Sequence, residues 1–295
     1  MGLKTIFEAL RYGKELIRQA SETPGLDAAL LLMNATGFSR TELTTRHGEL
    51  LSDNQTEIYV AALNNRAAGM PVQYILKNAE FMGLNFYVDE RVLIPRPDTE
   101  ILAEAAIAYI KSLASTQTLD YWHTANNLRP CRVLDIGTGS GILAASIAMF
   151  TNNVQIIAAD VCPSALEVAE INLNHHNIRN RVRLILSDLF KQLSGEQFDL
   201  IVSNPPYIRN NEDLPMSVIG FEPHKALFAG VDGLDIYRRI LADAKNFLHS
   251  NGKIMMEIGY DQYEPVKYLM EIFGYKDIEC LKDLAGKDRV ITGGL

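Results

Sequence analysis

The regular alternation of short apolar strands with amphipathic helices, from about residue 130 onward, constrains the fold of this chain more than any other feature. Strands are predicted at Arg132–Ile136, Val154–Ala159, Val182–Leu186, Phe198–Val202, Lys253–Ile258, Asp277–Leu281 and Arg289–Thr292. Helices are predicted at Ile142–Phe150, Ser164–His175, Leu234–Leu248 and Tyr263–Ile272. Such alternation predicts an α/β fold with a largely parallel, doubly wound sheet, whose ligands bind at the carboxyl ends of the strands.

The sequence divides into three predicted parts. Residues 1–70 carry apolar residues at helical spacing between charged ones, which predicts a small helical bundle without a chemical motif of its own. Residues 71–97 follow a strand pattern, which predicts a linking β-hairpin with its turn near Asp89. Residues 98–295 form the predicted sheet domain, with a polar surface loop at 114–130.

The first strand of the sheet ends in a glycine-rich turn that leads into a helix. The string Asp135-Ile136-Gly137-Thr138-Gly139-Ser140-Gly141 has glycines where the backbone can turn tightly and approach a ligand closely. Many nucleotide-binding proteins and some plain turns share this pattern. No Lys-Ser/Thr pair follows it, which excludes a P-loop. The carboxylate of Asp135 favours a cationic or amine-bearing ligand over a pyrophosphate.

Acidic residues also follow the next two strands. Asp160 lies nineteen residues after Gly141, where a carboxylate can accept hydrogen bonds from two ribose hydroxyls. It could equally cap the helix that starts near Pro163. Asp188 and Leu189 end the third strand and would flank an adenine ring, although Asp188 could also be a solvated turn residue.

The fourth strand ends in Asn204-Pro205-Pro206-Tyr207. Two consecutive prolines fix the backbone and remove two N–H donors, so carbonyl groups face an incoming ligand. The Asn204 side-chain oxygen and the Pro205 carbonyl can both accept hydrogen bonds from one planar NH2 group, and Tyr207 adds an aromatic face. Alone, the string would be interpreted as a stiffened turn with a buried tyrosine. At this place in a glycine-loop sheet, it predicts a receptor for an amide or an exocyclic amine.

Together, Gly137–Gly141, Asp160 and Asn204–Tyr207 resemble the Rossmann-like class I S-adenosylmethionine-dependent methyltransferases that modify planar nitrogen. Within that class the chain resembles the PrmC/HemK family, the glutamine N5-methyltransferases of peptide chain release factors. The likeness covers almost the whole chain, including Pro71–Leu76, Val92–Glu100, Phe221–Pro223, Ala226–Leu227, Gly230–Leu234 and Asp283–Arg289, with Val92–Glu100 the most discriminating. Two residues depart from the family pattern: Lys77 stands where Gly is usual, and Leu189 stands where an aromatic residue often faces adenine.

The resemblance implies a substrate, a cofactor and site residues. The substrate is the glutamine of the Gly-Gly-Gln motif in class I peptide chain release factors, and the methyl donor is S-adenosyl-L-methionine. The implied catalytic residues are Asn204, Pro205, Pro206 and Tyr207. The implied cofactor-binding residues are Gly137, Thr138, Gly139, Ser140, Gly141, Asp160, Asp188, Leu189 and Asn204. The helical part and the hairpin would recognise the release factor as a folded protein, and no metal is expected.

Two other functions are compatible with the same residues. The first is an N6-adenine or guanine-N2 methyltransferase of DNA or RNA, because the same tetrapeptide can bind the exocyclic amine of a base. The second is a non-catalytic module that binds the cofactor alone. The chain has 28 Lys and Arg against 36 Asp and Glu, a net charge of −8. This acidity disfavours stable nucleic-acid binding, because phosphate neutralisation needs clustered cations. The intact Asn204 and Tyr207 disfavour a non-catalytic module.

The remaining features concern the compartment and the unassigned charged residues. Cys131, Cys162 and Cys280 lack Cys-x-x-Cys spacing, which predicts free thiols rather than disulfides or a zinc site. No signal-peptide pattern or membrane span is found, so we expect a soluble, cytoplasmic protein. Glu257 either lines the pocket or is exposed. Arg96 and Asp98 either steady the substrate or brace the turn between domains, and bracing is favoured.

Overall fold

The structure, a computed structural model, describes residues 5–120 and 129–295. Its helices are α1 (Ile6–Leu16), α2 (Pro24–Thr36), α3 (Arg40–Thr45), α4 (Asp53–Ala67), α5 (Val72–Leu76), α6 (Thr99–Asp120), α7 (Ile142–Phe150), α8 (Pro163–His175), α9 (Met216–Ile219), α10 (Asp235–Ala244) and α11 (Tyr263–Ile272). Its strands are β1 (Ala79–Phe81), β2 (Leu84–Phe86), β3 (Cys131–Ile136), β4 (Val154–Asp160), β5 (Val182–Leu186), β6 (Phe198–Ser203), β7 (Leu248–Glu257), β8 (Lys276–Lys282) and β9 (Asp288–Gly294). A short 3-10 turn covers His224–Ala226.

The chain separates into two compact units. The helical unit comprises the residues up to Asn78 together with Leu214–Glu222, and the sheet unit comprises Ala79–Asp213 and Pro223–Leu295. No helix in the part of the chain that the structure describes is long and apolar enough to cross a membrane.

The helical unit is held together by α1, α2 and α4. These helices bury apolar residues at helical spacing, which include Ile6, Leu31, Leu32, Tyr59 and Leu63. One buried ion pair joins two of the helices, since Arg66 Nε lies 2.7 Å from Asp27 Oδ2. Capping boxes begin α1, α3 and α4, where they satisfy backbone N–H groups that have no partner within the helix. The predicted N-terminal helices are confirmed.

The hairpin is present, but its predicted turn is wrong. Strands β1 and β2 pair antiparallel with Ala79 opposite Phe86, and Met82 and Gly83 form the two-residue turn. Both turn residues have positive φ, which is the backbone conformation of a type I′ turn, one of the two common turns of two-residue hairpins. Asp89 is instead buried and forms an ion pair with Arg91 at 2.6 Å. Asp89 does begin a turn, because its carbonyl accepts a hydrogen bond from the Val92 N–H at 3.1 Å, but this turn lies after the hairpin and does not join its two strands.

The sheet unit contains a seven-stranded sheet in the order β5-β4-β3-β6-β7-β9-β8. Strands β3 to β7 are parallel, and β9 pairs antiparallel with both β7 and β8. Apolar residues of α6 and α7 fill one buried core of this unit, and those of α10 and α11 fill a second. The predicted doubly wound α/β sheet is therefore confirmed.

Two predicted segments of this unit need correction. Residues 114–120 were expected in a surface loop, but α6 continues through Asp120, while residues 121–128 lie outside the described part. The helix predicted at Leu234–Leu248 ends at Ala244, and Leu248 already begins β7, where it pairs with Phe198. Leu248 is apolar and stands at helical spacing from the preceding apolar residues, so the sequence pattern extends the helix to it. Its pairing with Phe198, fifty residues earlier, places it in a strand instead.

The strand order sets the place of the functional site. After β3, the chain adds β4 and β5 on one side and then returns to place β6 on the other side of β3. A crevice opens at such a reversal, outside the carboxyl ends of the strands. The glycine-rich turn follows β3, and the Asn-Pro-Pro-Tyr string follows β6. The fold thus places the two strongest motifs on neighbouring strand ends.

Candidate functional site

A cavity of about 320 Å³ lies within the sheet unit, against the segments that follow β3, β4, β5 and β6. Ten of the predicted site residues line it: Gly137, Thr138, Gly139, Ser140, Asp160, Asp188, Leu189, Asn204, Pro205 and Pro206. Two predicted site residues, Gly141 and Tyr207, are not among its lining residues. The structure therefore brings together segments that are up to seventy residues apart in sequence.

The Asp160 carboxylate ties the glycine-rich turn to the end of β4. Its Oδ2 accepts a hydrogen bond from the Gly139 N–H at 2.9 Å, and its Oδ1 accepts one from the Cys162 N–H at 2.9 Å. Burial raises its pKa above the ordinary value, although these backbone N–H groups oppose that rise. Each oxygen keeps a second lone pair, so the carboxylate can hold the loop and still accept hydrogen bonds from a ligand in the cavity.

Gly139 and Gly141 have different roles in the turn. Both have positive φ, 55° and 82°. A Cβ on Gly139 would meet no atom within 4 Å, so this glycine borders open space in the cavity wall. A Cβ on Gly141 would lie 3.2 Å from the Ala169 Cβ and 3.3 Å from its Cα. Gly141 therefore allows close packing of α7 against α8 rather than contact with a ligand.

Asp135 lies beneath the turn instead of in the cavity wall. It is fully buried, and its Oδ2 accepts hydrogen bonds from the Thr138 hydroxyl at 2.6 Å and from the Ala144 N–H at 3.3 Å. Burial raises its pKa to about 7. Asp135 is not among the residues that line the cavity, and its described contacts brace the turn from below.

Asp188 is a charged part of the cavity wall. It forms ion pairs with Lys191 Nζ at 2.8 Å and Arg239 Nη2 at 2.6 Å, which hold the pKa of its carboxyl below the ordinary value. Its neighbour Leu189 has a left-handed backbone, with φ of 53°. Arg239 also lines the cavity. Sequence reasoning missed it because it lies on α10, fifty-one residues from its partner, and no local motif marks it.

Asn204 is oriented by a hydrogen bond to α6. Its Nδ2 donates to the Thr99 Oγ1 at 3.1 Å, and Thr99 is almost completely buried. With the amide nitrogen committed to Thr99, the amide oxygen is the atom that this side chain offers to the cavity. Pro205 and Pro206 continue the wall beside it and offer no N–H group. The three residues thus lie at the cavity, and their role as acceptors for an NH2 group stays a prediction.

Tyr207 lies behind this wall. Its hydroxyl is 3.4 Å from the Glu257 Oε1, and its carbonyl accepts a hydrogen bond from the Gln262 Nε2 at 3.0 Å. Burial raises the pKa of the Tyr207 hydroxyl well above its ordinary value. The described contacts of Tyr207 therefore anchor the tetrapeptide to β7 and to the start of α11.

The structure also places Glu257, Asp98 and Arg96, for which the sequence left two alternative roles open. Glu257 is 2% exposed, so the alternative of an exposed carboxylate is wrong. Asp98 forms an ion pair with Arg289 Nη2 of β9 at 2.9 Å, which is a bracing contact within the sheet unit. Arg96 lines the cavity. Among the residues described, no group of three His, Cys, Asp or Glu side chains could hold a metal ion.

Comparison with known proteins gives matches over most of the chain. Residues 8–76 match the PrmC N-terminal domain, and residues 119–219 match the methyltransferase small domain. The release factor glutamine methyltransferase of Clostridium acetobutylicum is 40% identical over 91% of this chain and 92% of its own length. A bifunctional methyltransferase of Rickettsia typhi is 38% identical over 91% of this chain, which spans only 53% of that relative.

A solved structure supports the fold. The hMettl16 catalytic domain, in complex with the MAT2A 3′UTR hairpin 6, matches with a TM-score of 0.54 over 84% of this chain and 84% of its own. The two sequences are only 16% identical, so this likeness concerns the fold alone.

Proposed function

Because the chain belongs to the family of release factor glutamine methyltransferases, we propose that it methylates the N5 side-chain amide of the glutamine in the Gly-Gly-Gln motif of class I peptide chain release factors. The methyl donor is S-adenosyl-L-methionine. The observation that carries this proposal is the Asn204 amide, whose nitrogen donates to Thr99 so that its oxygen is left for an N–H donor in the cavity.

The residues around the cavity fit this cofactor. Gly139 leaves open space beside the backbone, and Asp160 can accept hydrogen bonds from ribose hydroxyls. Asp188, which forms an ion pair with Arg239, suits the polar edge of an adenine ring, and the apolar Leu189 suits its face. When bound, the cofactor supplies an electrophilic methyl group on a sulfonium. The cavity volume of about 320 Å³ lies within the range of small-molecule sites.

The acceptor atoms of Asn204 and Pro205 suit a primary amide. An amide nitrogen is a poor nucleophile, because its lone pair is delocalised into the carbonyl group. Two acceptors that bind both N–H bonds of one NH2 group hold that group in a single orientation. Positioning of this kind supplies up to about 7–11 kcal/mol of barrier reduction in favourable cases. No general base is required, since the proton can leave after methyl transfer.

The helical unit and the hairpin are proposed to recognise the release factor as a folded protein. The helical unit exposes several large apolar side chains, which are Phe7, Tyr12, Leu16, Leu26, Leu50 and Ile58. We propose that these side chains contact the release factor. The net charge of −8 would favour encounter with a basic partner. We also propose a cytoplasmic location, in agreement with the three unpaired thiols.

Methylation of matched substrates tests the proposal. The protein is incubated with radiolabelled S-adenosyl-L-methionine and either a release factor or its variant with the motif glutamine replaced by alanine, and peptide mass spectrometry locates the label. We expect one methyl group on that glutamine and none on the variant. Equal labelling of both proteins would refute the assigned acceptor.

Asn204→Ala provides the matched enzyme control. We expect this variant to lose turnover but to bind the cofactor with an affinity near that of the wild type, because only one acceptor for the substrate amide is removed. Calorimetric titration measures the affinity. Label transferred to DNA or RNA, and not to the release factor, would instead favour a nucleic-acid methyltransferase.

A further inference from the structure

Asn172 lies near the end of α8 and is completely buried. The other buried residues of this helix are apolar, namely Ala165, Val168, Ala169 and Leu173. Burial of an amide is unfavourable unless its polar atoms find hydrogen-bond partners. The partners of Asn172 belong to two backbone segments that both contribute residues to the cavity wall.

The first of these segments is the glycine-rich turn. The Asn172 Nδ2 donates to the Ser140 carbonyl at 2.8 Å, and Ser140 lines the cavity. In the same peptide group, the Gly141 N–H donates to the Thr138 carbonyl at 2.8 Å. The peptide group between Ser140 and Gly141 is therefore held at both of its polar atoms. Because a peptide group is planar, these two bonds fix the course of the backbone from the turn into α7.

The second segment follows the hairpin. The Asn172 Nδ2 also donates to the Tyr87 carbonyl at 3.0 Å, and its Oδ1 accepts from the Tyr87 N–H at 2.7 Å. Tyr87 begins a stretch without helix or strand that runs from β2 to α6. Five residues of this stretch line the cavity, which are Arg91, Val92, Leu93, Pro95 and Arg96. One side chain thus binds both backbone groups of the residue at which this stretch begins.

The chemistry of the three partners fixes the orientation of the amide. Two of them are backbone carbonyls, which only accept, so the NH2 group of Asn172 must face them. The third is a backbone N–H, which only donates, so the amide oxygen must face it. Among side chains of similar size, aspartate offers no donor when ionised, and leucine offers neither a donor nor an acceptor. An asparagine therefore satisfies all three backbone groups where these side chains do not.

A second contact joins α8 to the same stretch, but it lies in solvent. The Arg91 Nη1 is 2.8 Å from the Glu167 Oε2, and the Glu167 side chain is 67% exposed. An ion pair of this exposure contributes little to stability. The hydrogen bonds of Asn172 are instead shielded from water, so solvent does not compete for their donors and acceptors.

We propose that Asn172 is a positioning residue for cofactor binding, whose amide holds the glycine-rich turn and the stretch from Tyr87 to Arg96 in one fixed arrangement. Because both parts of the wall are already ordered when the cofactor arrives, less conformational entropy is lost on binding. The identity of the cofactor rests on the proposed function, whereas the connection between the two segments does not.

Two variants of Asn172 test the proposal. Asn172→Asp removes both donors, and Asn172→Leu removes every polar atom with little change of volume. For each variant, we expect the affinity for S-adenosyl-L-methionine in calorimetric titration to fall at least about tenfold. At a saturating cofactor concentration, kcat for release factor methylation should stay within about threefold of the wild type, because the substrate acceptor on Asn204 is unchanged.

Leu173→Ala is the matched control, because Leu173 is a fully buried residue of the apolar core and the next residue of α8. It should lower the free energy of unfolding in urea through lost packing, but leave the cofactor affinity within about threefold of the wild type. Equal losses of affinity in Leu173→Ala and Asn172→Leu would overturn the proposal, because a destabilised helix would then explain both. Wild-type affinity in a folded Asn172→Leu would also overturn it.

Hydrogen exchange of backbone amides in the wild type tests the connection even if the Asn172 variants do not fold. We expect saturation with S-adenosyl-L-methionine to slow exchange of the Tyr87 N–H at least about tenfold more than exchange of the amides in β9, which lies beyond β7 in the sheet. Equal slowing at both places would indicate general stabilisation and would refute the proposal.

The same measurement separates this proposal from the proposed function. If the wild type does not bind S-adenosyl-L-methionine, the proposed function fails. Faster exchange of the Tyr87 N–H in Asn172→Leu than in Leu173→Ala would then still support the connection through Asn172, and equal exchange in the two variants would refute it.

Discussion

Replacing Gly139 or Gly141 by alanine should separate ligand binding from folding within one turn. Both glycines have positive φ, so each alanine variant adopts an unfavourable backbone conformation that costs about 1–2 kcal/mol. At Gly139 no further cost arises, because a Cβ meets no atom within 4 Å. At Gly141 the Cβ would be 3.2 Å from the Ala169 Cβ, and overpacking of this kind costs about 1–3 kcal/mol more.

Gly141→Ala should therefore lower the free energy of unfolding by roughly 2–5 kcal/mol, and Gly139→Ala by about 1–2 kcal/mol. Alanine also restricts the unfolded chain, which offsets each loss by about 0.4–1 kcal/mol but leaves the difference between the variants unchanged. For cofactor binding we expect the opposite order, with Gly139→Ala more impaired than Gly141→Ala. The Gly139 Cβ enters the cavity wall, so we expect the affinity for S-adenosyl-L-methionine to fall at least about tenfold, or about 1.4 kcal/mol.

Urea unfolding and calorimetric titration measure the two effects on the same preparations. Under conditions where Gly141→Ala is folded, its affinity should stay within about threefold of the wild type. The reasoning is refuted if Gly139→Ala binds the cofactor normally. It is also refuted if Gly139→Ala is the less stable of the two variants, because the packing difference would then have no energetic effect.

Three further changes give separate outcomes. Lys77→Gly should raise the free energy of urea unfolding by about 0.5–1 kcal/mol, because Lys77 has a φ of 52°; no gain would show that its backbone is unstrained. Leu189→Phe should tighten cofactor binding about fivefold in calorimetry through stacking on adenine, and an unchanged Kd would argue against an adenine there. Burial opposes ionisation of Asp199, but hydrogen bonds from Arg129 and the Arg132 N–H hold its pKa below the ordinary value. The stabilisation is thus present above the unfolded pKa of about 3.9 and lost below it. The unfolding free energy of Asp199→Asn should fall less between about pH 5 and pH 3 than that of the wild type; equal slopes would contradict this.

Local sequence patterns determined the elements and the main motifs of this protein. The helix at Ile142–Phe150 and the strand at Val182–Leu186 agree with the prediction residue for residue, because hydrophobic periodicity reflects which face each segment buries. The same strand–helix alternation placed the glycine-rich turn and the Asn-Pro-Pro-Tyr string at strand ends. Prediction failed at Leu248, whose apolar side chain suits a helix and a strand equally well.

Tertiary structure decided which motif residues face the cavity and which support them. Gly141 has the same local signal as Gly139, but the packing of α8 gives it a different role. Tyr207 belongs to the most specific string of the chain, yet it bonds to Glu257 behind the wall. The contact from Asn204 to Thr99 spans more than one hundred residues. Local sequence fixes the type of each side chain, whereas its hydrogen-bond partner depends on which strands and helices become neighbours.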